Sequence, residues 1–207
     1  MTKCLIYCTK DKNNQLYRYY GNKYDVLRKN QDIMPQPDFF MNGKIVAQFD
    51  CEMIEIFTLD YRGDKEQNKR ISKDSCVSIE DLIEYQKDNH FLNAIHISNL
   101  EIFEKPKELS DFVYLTCGYE QCSKCKYYKA WGNCCPQEFE LEKAPQNMMN
   151  VWKKRNSFFI ELNERRKEQY ILISIRPEWV AKILNGEKTI EVRKKIVNRL
   201  KGELNND

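Results

Sequence analysis

Lys188, Glu191 and Arg193 follow Gly186 in the spacing GxKxxExR, which puts an amine, a carboxylate and a guanidinium close together in the chain. A guanidinium contacts a carboxylate or phosphate in paired fashion, an ammonium acts as a point charge or a tuned base, and a carboxylate accepts from a base edge or pairs with the arginine. The same three residues can instead form an internal ion-pair network that pins a helix to a sheet. A second group is Cys117, Cys122, Cys125, Cys134 and Cys135, spaced C-x4-C-x2-C-x8-CC. The CxxC pair can wrap one metal from a tight turn, and the later return supplies the other side of a tetrahedral site. Four of the five, Cys117, Cys122 and Cys125 with either Cys134 or Cys135, are the expected ligands of a structural zinc. Unliganded reduced cysteines are the alternative. No His, Asp or Glu ligand set accompanies them, so a catalytic zinc is not expected.

The elements that position the first group lie between Ile171 and Lys195. Ile171, Leu172, Ile173 and Ile175 form an apolar, mostly β-branched run that reads as a strand. Pro177 suits the first turn of a helix, on which Trp179, Val180, Ile183 and Leu184 share one face. Gly186 then stands where a left-handed cap is usual. After it the period changes to two: Thr189, Glu191 and Arg193 alternate with Ile190 and Val192, as in a half-buried strand.

These residues, with Ser174 to Trp179 (SIRPEW) before them, resemble the signature of the ASCH domain, a small β-barrel of the PUA-like superfamily. Leu5 to Lys10 (LIYCTK) is similar to the strand that follows the motif in many phage and bacterial members, yet it stands at the opposite terminus. Gly43 to Phe57, Ser78 to Tyr85, Ile95 to Leu109 and Ala144 to Asn147 follow in family order, so the chain resembles a circular permutant, which nearby domain termini permit. The resemblance implies an α+β fold: a PUA-like barrel with flanking helices and a cysteine-rich zinc knuckle. It divides the chain into 1–112 (first part of the barrel), 113–137 (knuckle insert), 138–169 (barrel end and linker helix) and 170–207 (closing part with the motif). It further implies a cleft in which Lys188, Thr189, Glu191, Arg193, Arg176 and His96 bind RNA or a modified nucleotide. Some similar proteins hydrolyse N4-acetylcytidine, using the motif lysine and a threonine three residues later. Glu191 stands at that position here, so an amidohydrolase or ribonuclease reading assigns catalysis to Lys188 and Glu191. A third reading is a phage protein that binds and inhibits a host defence protein.

Composition sets the frame. The chain has 207 residues, 42% of them hydrophobic, enough for a real core. No apolar run approaches the ~20 residues of a membrane span, and the start is too short in apolar residues for a signal peptide. A cytoplasmic setting is therefore expected, where nine cysteines point to metal rather than disulfides. The net charge of +3 is small, but Val151 to Asp207 holds 14 Lys and Arg against 8 Asp and Glu, so basic charge collects around the motif.

Elsewhere Cys4 to Cys8 reads as a central strand. The tyrosines of Gln15 to Tyr24 suit a turn over a barrel end, or stacking on bases. Ile45 to Met53 alternates strictly, and the apolar parity then switches at Ile54, which implies a bulge or bend near Met53. Charged Tyr61 to Asp74 reads as a loop, Ser78 as the cap of a helix through Leu82, Ile83 and Tyr85, and Ala94 to Phe103 as a strand stopped by Lys105-Pro106-Lys107. Met148 to Lys167 reads as a helix that joins the permuted ends. A monomer or a dimer that exchanges its closing segment is expected.

Overall fold

The computed structural model describes residues 2–10, 16–20, 23–27, 42–60, 62–87, 89–116, 137–154, 169–198 and 200. Twelve strands and three α-helices lie among them. The strands are β1 (Thr2–Cys8), β2 (Leu16–Tyr20), β3 (Lys23–Leu27), β4 (Lys44–Cys51), β5 (Ile54–Phe57), β6 (Leu92–His96), β7 (Ser98–Lys107), β8 (Phe112–Thr116), β9 (Gln137–Glu140), β10 (Met148–Lys153), β11 (Gln169–Ile175) and β12 (Ile190–Arg193). The helices are α1 (Lys65–Ser75), α2 (Ile79–Gln86) and α3 (Pro177–Leu184).

The fold is α+β, and mostly sheet. Seven strands run in the order β7-β4-β1-β11-β10-β8-β9, three in the order β12-β6-β5, and β2 pairs with β3. A barrel was the expectation, but among the described residues no sheet closes on itself. The central pair β1 and β11 is parallel, with Cys4 opposite Ile171 and Cys8 opposite Ile175. Both strands are buried on both faces, which is why their sequences read as continuous apolar runs without alternation. One face of the large sheet packs Cys4, Ile6, Ile171 and Ile173 against Val180, Ile183 and Leu184 of α3. On the other, Leu5, Tyr7, Leu172 and Val151 pack with Phe103, Phe112 and Leu141.

The two larger sheets share a ribbon that bends. β4 pairs with β7 and β5 with β6, so both chains of the ribbon leave one sheet and enter the next. The bend falls at Glu52 and Met53 on one chain and at Ile97 on the other, where the parity switch in the sequence placed it. His96 N–H donates to the Met53 carbonyl at 3.1 Å and Ser98 Oγ to the Asp50 carbonyl at 2.8 Å, which satisfies the corner. The expected single strand Ala94 to Phe103 is thus two. Its second half runs through Pro106, because β7 is an edge strand and a missing N–H there faces no partner.

Three further expectations change. Tyr61 to Asp74 is largely helix: Asp64 caps α1 by accepting from Glu66 N–H at 2.8 Å and Gln67 N–H at 3.2 Å. Its apolar stripe is reduced to Ile71, while Asn68 Nδ2 docks on the Thr58 carbonyl, so the usual helical period is absent. Met148 to Lys153 is strand β10, not helix; the rest of that expected helix lies outside the described residues. Met148 packs on one face of the sheet and Met149 on the other, and two apolar faces hide a period of two. Lastly, the rotated family order predicts the motif strand Thr189 to Arg193 beside Leu5 to Tyr7, but the strand beside β1 is β11, and β12 pairs with β6. The first and last thirds of the chain do share one sheet. Ser78 caps α2 as expected, accepting from Asp81 N–H at 3.0 Å.

Candidate functional site

The motif sits where two helix C-termini meet the open edge of the small sheet. Gly186 takes a φ of 75° and closes α3 in a Schellman cap, with its N–H on the Ile183 carbonyl and Glu187 N–H on that of Lys182. Cys76 closes α1 in the same way, with φ 55° and bonds from Cys76 and Val77 N–H to the Lys73 and Ser72 carbonyls. The caps lean on each other, because Cys76 Sγ lies 3.3 Å from the Glu187 carbonyl and Thr189 N–H donates to the Asp74 carbonyl at 2.8 Å.

Lys188 fills the junction. It is 3% exposed, and its Nζ donates to the Ser75 carbonyl at the end of α1, 2.8 Å away, where the helix dipole favours a cation. The same Nζ is 3.3 Å from Glu191 Oε2. Glu191, 8% exposed, turns its other oxygen to Arg193 Nε at 2.8 Å. That contact is an ion pair without hydrogen-bond alignment. Arg193 directs its remaining nitrogens elsewhere, Nη1 to Asn147 Oδ1 at 3.0 Å and Nη2 to the Ser174 carbonyl at 2.7 Å. Two cations share one carboxylate, so the buried chain carries a net positive charge. Burial pushes Lys188 below the ordinary lysine range, and Glu191 counteracts that push.

The expected site residues divide between two faces. Glu191 and Arg193 lie opposite Ile95 and Asn93 of β6, on the face turned to the large sheet. His96 lies opposite Ile190 and therefore on the other face, away from them. There its Nε2 contacts Glu55, which also binds Arg70 and, at 3.1 Å, Gln67 Nε2 of α1. Burial pushes the Glu55 carboxyl up, but the hydrogen bonds from Arg70, Gln67 and His96 outweigh it and hold the group below the usual range. Thr189 and Arg176 are exposed, and Arg176 lies 3.9 Å from Glu178. Neither joins the ion chain.

The helical spacing puts Trp179 on the apolar face of α3, and it does pack against the core, but it is also partly exposed beside the ion chain. Lys182 Nζ lies 4.9 Å from its ring centroid and Lys188 Nζ 5.3 Å. The i+3 spacing of Lys182 from Trp179 is the sequence signal that could have found the pair. Asn147, Ser174 and Ser75, which complete the chain, are brought in from distant segments and carry no local signal. The zinc expectation on Cys117, Cys122, Cys125, Cys134 and Cys135 lies outside the described residues. β8 and β9 are paired through Thr116 and Gln137, so the two ends of that insert are adjacent. Among the described residues, no group of three His, Cys, Asp or Glu side chains is placed to hold a metal. No protein-family model, curated protein or solved structure matches the chain.

Proposed function

We propose that the protein is a binding module for RNA or a modified nucleotide, with the ligand seated over the Lys188, Glu191 and Arg193 chain. The observation that carries this is the partly exposed Trp179 with the Lys182 and Lys188 ammonium groups near its ring, beside a buried ion chain in which two cations share one carboxylate. An indole face offers stacking to any base, and neighbouring cations attract phosphate. The resemblance to the ASCH domain and its PUA-like barrel points to the same cleft. In this reading the buried chain holds the cleft together, while Trp179, Lys182, Thr189 and Arg176 form the rim that touches the ligand.

Titration with an oligouridylate at several salt concentrations tests it. Trp179→Leu keeps an apolar side chain but removes the stacking face, and should weaken binding by about 1–3 kcal/mol. Lys182→Gln should flatten the salt dependence. Salt-insensitive or absent binding by the wild-type chain, or equal affinities in all three proteins, would remove the proposal. The knuckle belongs to it as a structural part: metal analysis of protein purified without chelator should find about one zinc per chain.

An enzymatic reading draws on Lys188, because burial lowers its pKa and so favours the free amine that a general base needs. Release of acetate from N4-acetylcytidine, lost in Lys188→Met, is its test.

A further inference from the structure

A second cationic feature lies on the other face of the large sheet, away from the motif. Lys107 ends β7, Lys153 ends β10, and Lys154 follows it. With Ser110, Asp111 and Phe112 they line a groove of about 490 Å³. Phe112 is buried beneath it, and Lys154 N–H donates to the Asp111 carbonyl at 2.7 Å, which fixes the groove wall. Lys107 is only partly exposed, its Nζ 3.7 Å from the centroid of the Phe103 ring.

The charges in the groove do not balance. Lys154 is paired with Glu140, and one Asp111 oxygen is used by Glu108 N–H at 2.9 Å. Burial and the nearby Lys153 both push Lys107 below the ordinary lysine range, against a weaker pull from Glu101 and Asp111. Among the described residues, no carboxylate lies within ion-pair distance of Lys107 or Lys153. Lys107 and Lys153 thus line the groove against the single carboxylate of Asp111, beside an aromatic floor, and an anion with several oxygens would take up the excess positive charge.

The geometry points to a phosphate-binding groove in which Lys107 and Lys153 clasp the anion and the Ser110 hydroxyl donates to it. Its ligand is a phosphate group, whether of a small phosphorylated molecule or of a polynucleotide backbone. The groove uses none of the residues assigned to the RNA cleft, so either can fail without the other.

Calorimetric titration of the full chain with pyrophosphate tests it, alongside a second arm with an oligouridylate. Pyrophosphate should bind the wild type and bind the double variant Lys107→Gln, Lys153→Gln at least tenfold more weakly. The arginine pair Lys107→Arg, Lys153→Arg should restore binding, which separates lost charge from lost folding. If the oligonucleotide weakens in the glutamine pair with a shallower salt slope, the groove takes a polynucleotide backbone. If only pyrophosphate weakens, it takes a small phosphorylated ligand. No pyrophosphate binding by the wild type, or equal binding by the glutamine pair, overturns the proposal.

Discussion

Glu191 is the residue on which the motif's electrostatics turn, because among the described residues it is the carboxylate paired with both Lys188 and Arg193. Glu191→Gln leaves two buried cations without a counter-charge and should cost about 3–5 kcal/mol of stability. Arg193→Ala leaves Glu191 its lysine and strands the Asn147 and Ser174 acceptors, so about 1–3 kcal/mol is expected. Urea unfolding of the two variants checks the order; an arginine variant as costly as the glutamine would show that the carboxylate is not shared. Lys188 also has a pH signature. Its pKa is lowered on folding, so the unfolded chain binds more protons in the window below the unperturbed value of about 10.4, and stability rises with pH there. Relative to Lys188→Met, the wild type should therefore gain stability as pH climbs through that window. The comparison between variants is needed because Cys8 acts in the opposite direction: burial pushes its thiol up to about 12, the folded chain keeps that proton, and alkali destabilises it.

At the scale of elements, α1 is attached by polar contacts rather than by an apolar stripe. Glu55 reaches it through Arg70 and Gln67, and its carboxyl is held below the usual range, so this stability is present above about pH 4.3 and is lost as pH falls through the folded value. Glu55→Gln should remove that acid dependence, and hydrogen exchange should show α1 protected less than β6. Asp64→Ala removes the cap of the same helix and should cost about 1 kcal/mol. Gly63 just before it has no room for a side chain, since a Cβ would fall 1.9 Å from the Thr58 carbonyl oxygen. Gly63→Ala must displace that loop, and with it the Asn68 contact that docks α1.

For the whole molecule, the decisive feature is that β11 lies between β1 and β10, so the last part of the chain completes the centre of the sheet. A chain ending at residue 168 should lose cooperative thermal unfolding. A separate peptide spanning 169–207 should restore it, since the missing piece is the strand β11, the helix α3 and the strand β12. Retained cooperative unfolding of the shortened chain would contradict this. The same dependence allows two chains to exchange their closing segments, and light scattering at several concentrations distinguishes monomer from exchanged dimer.

Local chemistry was legible in the sequence wherever a short segment contains its own cause. Pro177 and Gly186 bound α3, Ser78 caps α2, the parity switch after Met53 marks the bend between sheets, and the apolar runs of β1 and β11 announce strands buried on both faces. The α+β class, by contrast, was what the resemblance implied. Tertiary structure decided what depends on partners far away in the chain. Met148 to Lys153 became a strand because β11 and β8 flank it, and Lys65 to Ser75 became a helix because Glu55 and Thr58 receive its polar side chains. The placement of His96 on the face opposite Arg193 follows from its register with Ile190, a pairing across about ninety residues. The motif itself shows the division most clearly. Its spacing in sequence fixed which charges lie close together, but whether they meet solvent depends on Ser75, Asn147 and Ser174, and only the packing of α1, β10 and β11 around β12 brings those acceptors to them.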